Sequence, residues 1–209
     1  MKRTDHRRNT STSIARKKQI MKDNIAYFGY GSLVNLGSLR TPYISAHRVT
    51  LKGWKRIWLS RPKEAGSFAS EDGLAFLSVV PEPSAEIDGM LITDHASSLK
   101  SLDEREALYS RVDLKPEDLH HHDDKIEPAS QFLYMADEHP AHKDAKILRS
   151  YLDVVMQGYK THFGPDGIER FFATTLNFDL DILEDRAEPK YPRATTLTDE
   201  EIKLFNTFR

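Results

Sequence analysis

The sequence predicts an α+β fold: a small, mixed, mainly antiparallel β barrel with packed helices. Three observations predict it. Short buried-strand segments recur through the first half of the chain between Gly and Pro, without the regular helices that βαβ units would need. A long amphipathic helical pattern follows only after residue 145. The apolar content, 39% hydrophobic with ten Phe, eight Tyr and two Trp in 209 residues, is enough to fill one core, so global disorder is not expected.

The elements follow in chain order. Ile25-Ala26-Tyr27-Phe28 reads as a short buried strand closed by Gly29 and Gly31. A second extended stretch spans 45–51, and after a turn at Gly53 a third spans 54–59. The Pro, Gly, Ser and charge of 61–72 read as an exposed connection. Strand patterns return at 74–80 and 87–92, separated by Pro81 and Pro83. Ser101 and Glu104 have capping-box spacing for a short helix, on which Leu102, Glu106 and Tyr109 share one face at offsets of four and three. Further strands are predicted at 111–114 and 131–135. From 145 to 163 the stripe Ile147, Leu148, Tyr151, Leu152, Val155 and Tyr159 predicts a helix packed on the sheet. Gly164-Pro165 ends it, and 166–172 suit another short helix. The prolines of 185–193 favour an ordered loop.

Charge divides the chain into a leader and a body. Residues 1–22 hold eight Lys or Arg against the single Asp5, a balance of +7 in a chain whose total is −2. The expected arrangement is a basic, flexible leader over 1–22 and a single domain over 23–209, with a C-terminal extension from about 175. Contact of the leader with nucleic acid is the minor reading, because the body carries no basic excess. No apolar run approaches the length of a transmembrane segment, and the early positive charges lead into Asn9-Thr10-Ser11-Thr12-Ser13 rather than the apolar stretch of a secretory signal. The absence of cysteine excludes disulfides, thiolate nucleophiles and cysteine-ligated metals. A cytoplasmic location is expected.

The chemistry concentrates at two places. A strand running into Gly29-Tyr30-Gly31-Ser32-Leu33 can make a tight turn that presents successive backbone N–H groups to a carboxylate or a developing oxyanion. Ser32 adds a hydroxyl there. Gly29 and Gly31 precede Gly37 without the Gly-x-Gly-x-x-Gly spacing, no Gly-Lys-Ser/Thr loop occurs, and Ser32 lies outside a nucleophile elbow. Dinucleotide, nucleotide-phosphate and serine-hydrolase chemistry are therefore not expected. The second place is Glu106, a carboxylate in register with Leu102 and Tyr109; Arg105 is expected to point away from it. His120-His121-His122-Asp123-Asp124, with His139 or His142, offers metal-binding side-chain types. Consecutive residues converge poorly on one tetrahedral ion, so an exposed histidine-rich loop is favoured, with neither metal nor cofactor.

Tyr27-Phe28-Gly29-Tyr30-Gly31-Ser32-Leu33, Leu51-Lys52-Gly53-Trp54-Lys55-Arg56 and Leu102-Asp103-Glu104-Arg105-Glu106-Ala107-Leu108-Tyr109 together resemble the γ-glutamylcyclotransferase-like superfamily, especially its ChaC-type branch. The likeness continues through Tyr151-Leu152, Gly158 and 164–168. It implies an enzyme that cyclises a γ-glutamyl amide, releasing 5-oxoproline and an amine, amino acid or peptide, with glutathione, γ-glutamyl amino acids and γ-glutamylamines as the substrate groups. It implies Glu106 as the acid/base residue, and Tyr30, Gly31, Ser32 and Leu33 as the holder of the γ-glutamyl group. Tyr109 and Arg193 are further substrate-binding candidates, the latter as a carboxylate contact. The partner implied is a small-molecule γ-glutamyl substrate. The alternatives are a noncatalytic small-metabolite binding module and an interaction protein using its basic arm. The leader, the His-rich insertion and the tail after 175 fall outside the resemblance.

Overall fold

A computed structural model describes residues 23–60, 73–107, 109–126, 128–136 and 145–208. The basic leader, the connection at 61–72, His139 and His142 lie outside the described residues.

The centre is a seven-stranded sheet built from β1 (Asn24–Gly29), β2 (Ser45–Ser60), β3 (Ala75–His95), β4 (Tyr109–Asp113), β5 (Leu119–His121), β6 (Ser130–Ala136) and β8 (Thr175–Leu176). Its order is β4-β6-β1-β3-β2-β5, with β8 also paired to β2. The β1–β3, β2–β3, β2–β5 and β4–β6 pairs are antiparallel, whereas β1–β6 and β2–β8 are parallel. The fold is thus the expected mixed, mainly antiparallel α+β class. Among the described residues, however, β4 and β5 remain the two ends of the strand path, so the ladder does not close into a barrel.

β2 and β3 are each continuous where the sequence suggested two strands apiece. Gly53, at φ 81°, and the stretch 82–85 form an irregularity between the pairs Lys52↔Glu86 and Trp54↔Pro81. Lacking N–H groups, Pro81 and Pro83 fit where the ladder is already interrupted, so they mark a bulge within one long strand rather than a turn between two.

The short helix α1 (Leu99–Arg105) begins two residues before the anticipated Ser101 cap, and the Ser101 hydroxyl bonds the Ser98 carbonyl instead. It ends at Glu106 (φ −100°, ψ 31°), and Tyr109 belongs to β4, so the expected helical face of Leu102, Glu106 and Tyr109 stops at its second member. Residues 146–148 form β7, parallel to β9 (Asp181–Leu183), so Ile147 is a strand core residue and the long helix starts later than anticipated. That helix, α2 (Arg149–Ala173), is broken at Gly164 as predicted. α3 (Asp199–Phe205) closes the chain, its Thr198–Glu201 capping box intact. Among the described residues no helix is long and apolar enough to cross a membrane.

α2 crosses the turn that follows β1. Gly158 allows the approach: a Cβ there would lie 2.5 Å from the Asn35 backbone nitrogen and 2.8 Å from the Val34 carbonyl carbon. Asn35 fixes the contact by donating to the Val154 carbonyl (3.1 Å) and to Gln157 Oε1 (2.9 Å).

The segment after β9 is tied to the start of α2 by Asp185, which is buried. Its carboxylate accepts from the Ser150 N–H (2.7 Å), the Ser150 hydroxyl (2.5 Å) and the Lys190 N–H (2.9 Å). An Asp185→Ala chain is expected to lose about 2–4 kcal/mol, because these donors would stay buried without their acceptor. Urea unfolding followed by circular dichroism measures this, and Asp185→Asn should recover part of the loss.

Candidate active site

Directly after β1, Gly31 caps a 3₁₀ turn over Ser32–Val34, with the Val34 N–H donating to the Gly31 carbonyl (3.0 Å). Tyr30 points inward and its hydroxyl donates to the Tyr134 carbonyl (2.7 Å). Its own carbonyl accepts from Arg56 Nε (3.0 Å) and lies 3.0 Å from Tyr159 Oη. The turn is therefore braced from below by β2, β6 and α2. Two further hydroxyl-bearing rings meet the turn, Tyr151 at Gly31 and Tyr191 at Ser32.

Tyr151, on α2, approaches most closely. A Cβ on Gly31 would sit 2.7 Å from its hydroxyl. Burial pushes the Tyr30 and Tyr151 hydroxyls well above the ordinary phenol range, with neighbouring tyrosines and, at Tyr30, the Glu106 charge adding to it. Both hydroxyls remain protonated donors at neutral pH.

Glu106 stands at the end of α1. Its side chain is 19% exposed, and its carboxylate raises the pKa of Tyr30, Tyr27 and Tyr134 through its charge. The Glu106 charge thus reaches the Tyr30 side chain. Arg105 does not point away: its Nε lies 3.0 Å from Glu106 Oε1, and its charge is felt at the Tyr27 hydroxyl. A residue at the frayed end of a seven-residue helix is free of the periodicity that would have turned it outward. Tyr109 approaches the same group from β4 rather than from a shared helix. Its hydroxyl donates to the Leu77 carbonyl (3.3 Å) and its ring meets Phe76 edge-on.

The opposite wall comes from the C-terminal segment. The Tyr191 hydroxyl donates to Ser32 Oγ (2.9 Å), and Arg193 Nη2 lies 3.5 Å from the same oxygen. The Tyr191 ring packs edge-on to Tyr151 at 4.9 Å, while the Arg193 guanidinium lies over Tyr191 at 5.5 Å. Arg40 bonds the Pro192 carbonyl, and the Tyr191 N–H donates to Ser150 Oγ (3.2 Å). Ser32 and Arg193 thus meet across 161 residues of sequence, with Leu33 half-buried beside them. The candidate site thus combines the Glu106 carboxylate, whose charge is felt at Tyr30, with the Arg193 guanidinium at Ser32.

Sequence reasoning missed Tyr151, Arg56 and the inward role of Arg105. Tyr151 lies in the apolar stripe of α2, where a tyrosine reads as packing. Arg56 alternates with charged and aromatic residues along β2 and reads as solvent-facing until its burial is seen.

The histidine-rich segment has structural partners. His120 and His121 pair with β2 rather than forming a loop, the Thr50 hydroxyl bonds His122 Nε2 (2.7 Å), and Asp123 pairs with Arg48 (2.7 Å). Among the described residues no three His, Asp or Glu side chains are grouped to hold a metal ion.

No protein-family model matches the sequence, and no curated protein matches it significantly. Solved structures do resemble it. One is described as gamma-glutamyl cyclotransferase, with 17% identity, TM-score 0.56, and coverage of 88% of this chain and 99% of that one. The uncharacterized protein loc79017 from Homo sapiens gives 17% identity, TM-score 0.52 and the same coverage. YkqA from Bacillus subtilis gives 17% identity and TM-score 0.52, over 78% of this chain and 57% of that one. Strand order, the turn after β1 and the crossing of α2 are thus set within an architecture already seen in solved proteins, and the chain has the fold of gamma-glutamyl cyclotransferase.

Proposed function

We propose that this protein catalyses the intramolecular cyclising cleavage of a γ-glutamyl amide. The substrate's α-amine attacks its γ-carbonyl carbon, a five-membered lactam forms, the original amide C–N bond breaks, and 5-oxoproline leaves with an amine, amino acid or peptide. The observation that carries the reading is the largely buried Glu106 carboxylate, held by Arg105 and with its charge felt at Tyr30 of the Gly31 turn, in a fold shared with gamma-glutamyl cyclotransferase.

No protein nucleophile is needed, because the substrate supplies its own. Glu106 takes a proton from the attacking amine and returns one to the departing nitrogen. Arg105 holds the carboxylate by its 3.0 Å contact. The backbone of Tyr30, Gly31, Ser32 and Leu33 holds the γ-glutamyl group and stabilises negative charge at its oxygens. The Tyr109 and Tyr151 side chains line the space in which the chain of the substrate folds on itself, so few of its orientations are wasted. Arg193 takes a substrate carboxylate. A cysteine-free chain acting on such metabolites suits the cytoplasm.

The Arg193 role has a measurable consequence. Arg193→Gln is expected to raise KM about tenfold, the worth of one charge-assisted hydrogen bond, with a smaller effect on kcat. Steady-state kinetics of 5-oxoproline release separates the two parameters; an unchanged KM would remove Arg193 from the substrate's contacts.

The reading as a whole is tested by incubating the folded protein with glutathione, γ-glutamyl amino acids and γ-glutamylamines and assaying 5-oxoproline, with Glu106→Gln as the control.

A further inference from the structure

Arg56 is among the most buried side chains of the molecule, 1% exposed, although it carries a full charge. Burying an unpaired cation is costly, and the usual solution is a carboxylate partner. Arg56 is held otherwise. Nε donates to the Tyr30 carbonyl (3.0 Å) and Nη1 to the Thr174 hydroxyl (2.7 Å), while Nη2 bonds the Asp88 carbonyl and the Tyr159 hydroxyl. The guanidinium also lies 5.0 Å from the Tyr159 ring centre and 5.1 Å from that of Phe171. Each of these hydrogen-bond partners is an uncharged oxygen. The nearby Asp88 carboxylate is committed elsewhere, to Arg170 Nε (2.7 Å) and the Thr50 hydroxyl (2.8 Å).

The Tyr30 carbonyl matters because of the peptide unit to which it belongs. No peptide bond among the described residues is cis, so the C=O of Tyr30 and the N–H of Gly31 point in opposite directions across one rigid plane. Drawing the carbonyl towards Arg56 therefore turns the Gly31 N–H the opposite way, away from Arg56. A cation at the oxygen end of the amide also polarises it, which strengthens the N–H as a donor at the other end.

We propose that Arg56 is a positioning residue: a buried cation that clamps the Tyr30 carbonyl, and thereby aims and polarises the Gly31 N–H toward a substrate oxygen. The inference rests on the cyclotransferase reading for its functional consequence, but not for the clamp itself. Tyr159 assists from the same side, its hydroxyl 3.0 Å from the Tyr30 oxygen and 2.7 Å from the Asp88 carbonyl oxygen.

The test compares Arg56→Gln, Arg56→Lys and Thr174→Val by kinetics and by the ¹H,¹⁵N amide resonance of Gly31 without substrate. Arg56→Gln should lower kcat on the order of 10²-fold, the effect of a misaimed catalytic donor, with a smaller change in KM. Its Gly31 amide proton should move upfield more than any other glycine amide. Arg56→Lys keeps the charge without the planar fork and should fall between wild type and Arg56→Gln in both readouts. Thr174→Val removes a different hydrogen bond of the same guanidinium and should leave both at wild-type values.

A folded Arg56→Gln with wild-type kcat and Gly31 resonance would overturn the proposal. So would Thr174→Val losses equal to those of Arg56→Gln, since general packing would then explain both. If Arg56→Gln does not fold, Arg56→Lys decides, and wild-type values there overturn the clamp. A wild-type protein inactive on every γ-glutamyl substrate would defeat the proposed function alone, because the Gly31 resonance still tests Arg56.

Discussion

Glu106→Gln is expected to leave the fold intact and to lower kcat/KM for 5-oxoproline release by at least about 10³-fold, within the range of general acid/base contributions. The substitution keeps the shape and hydrogen-bonding capacity of the side chain but removes the basic oxygen that accepts the amine proton. Its structural cost should be small. The ion pair lost is that with Arg105, whose side chain is 30% exposed, so solvent replaces most of the interaction and about 1 kcal/mol or less is at stake. Thermal unfolding should therefore be close to wild type while turnover disappears. A folded Glu106→Gln protein with near-normal turnover would transfer the acid/base role to another group.

Gly31→Ala is expected to combine a loss of activity on the order of 10²-fold with a loss of stability of about 1–3 kcal/mol. The added methyl would meet the Tyr151 hydroxyl at 2.7 Å and Leu77 Cδ2 at 3.3 Å. Tyr151 cannot easily yield, since its ring is set edge-on against both Trp58 (5.8 Å) and Tyr191 (4.9 Å). Either the tyrosine moves or the turn shifts, and each outcome would displace the backbone donors proposed to hold the γ-glutamyl oxygens. The double variant Gly31→Ala/Tyr151→Phe relieves the closest contact by deleting the oxygen. Its stability loss should be smaller than the sum of the two single losses, the sign of direct coupling. Simple additivity would contradict the contact.

How much of this was legible in the sequence depended on whether the determinant was local. The Ile25–Phe28 strand and the Gly-Tyr-Gly-Ser turn are written in adjacent residues, and both stand where the pattern put them. The break at Gly164-Pro165 is equally local. β2 and β3 were divided too finely because glycine and proline signal an interruption without saying whether the chain reverses or merely bulges. The register between two strands decides that, and register is a nonlocal property.

The site followed the same division. Glu106 and the Tyr30–Leu33 turn were visible as residue types in context. Tyr109 was proposed as a neighbour of Glu106 on one helix face, yet it reaches the site from β4, because the helix ends at Arg105. Arg193 illustrates the limit best: only the anchoring of 185–191 to Ser150 brings it to Ser32, and no sequence period records that. Arg56 stands within a sequence motif, but its burial, which gives it meaning, depends on α2 folding over the sheet.

The central claim is the reaction itself, and quantifying 5-oxoproline against the released amine or amino acid tests it most directly. The account predicts that the wild-type protein releases the two in equal amounts from at least one of glutathione, a γ-glutamyl amino acid or a γ-glutamylamine, and that Glu106→Gln does not. Correctly folded wild-type protein that yields free glutamate instead, or no product from any of the three, would contradict it.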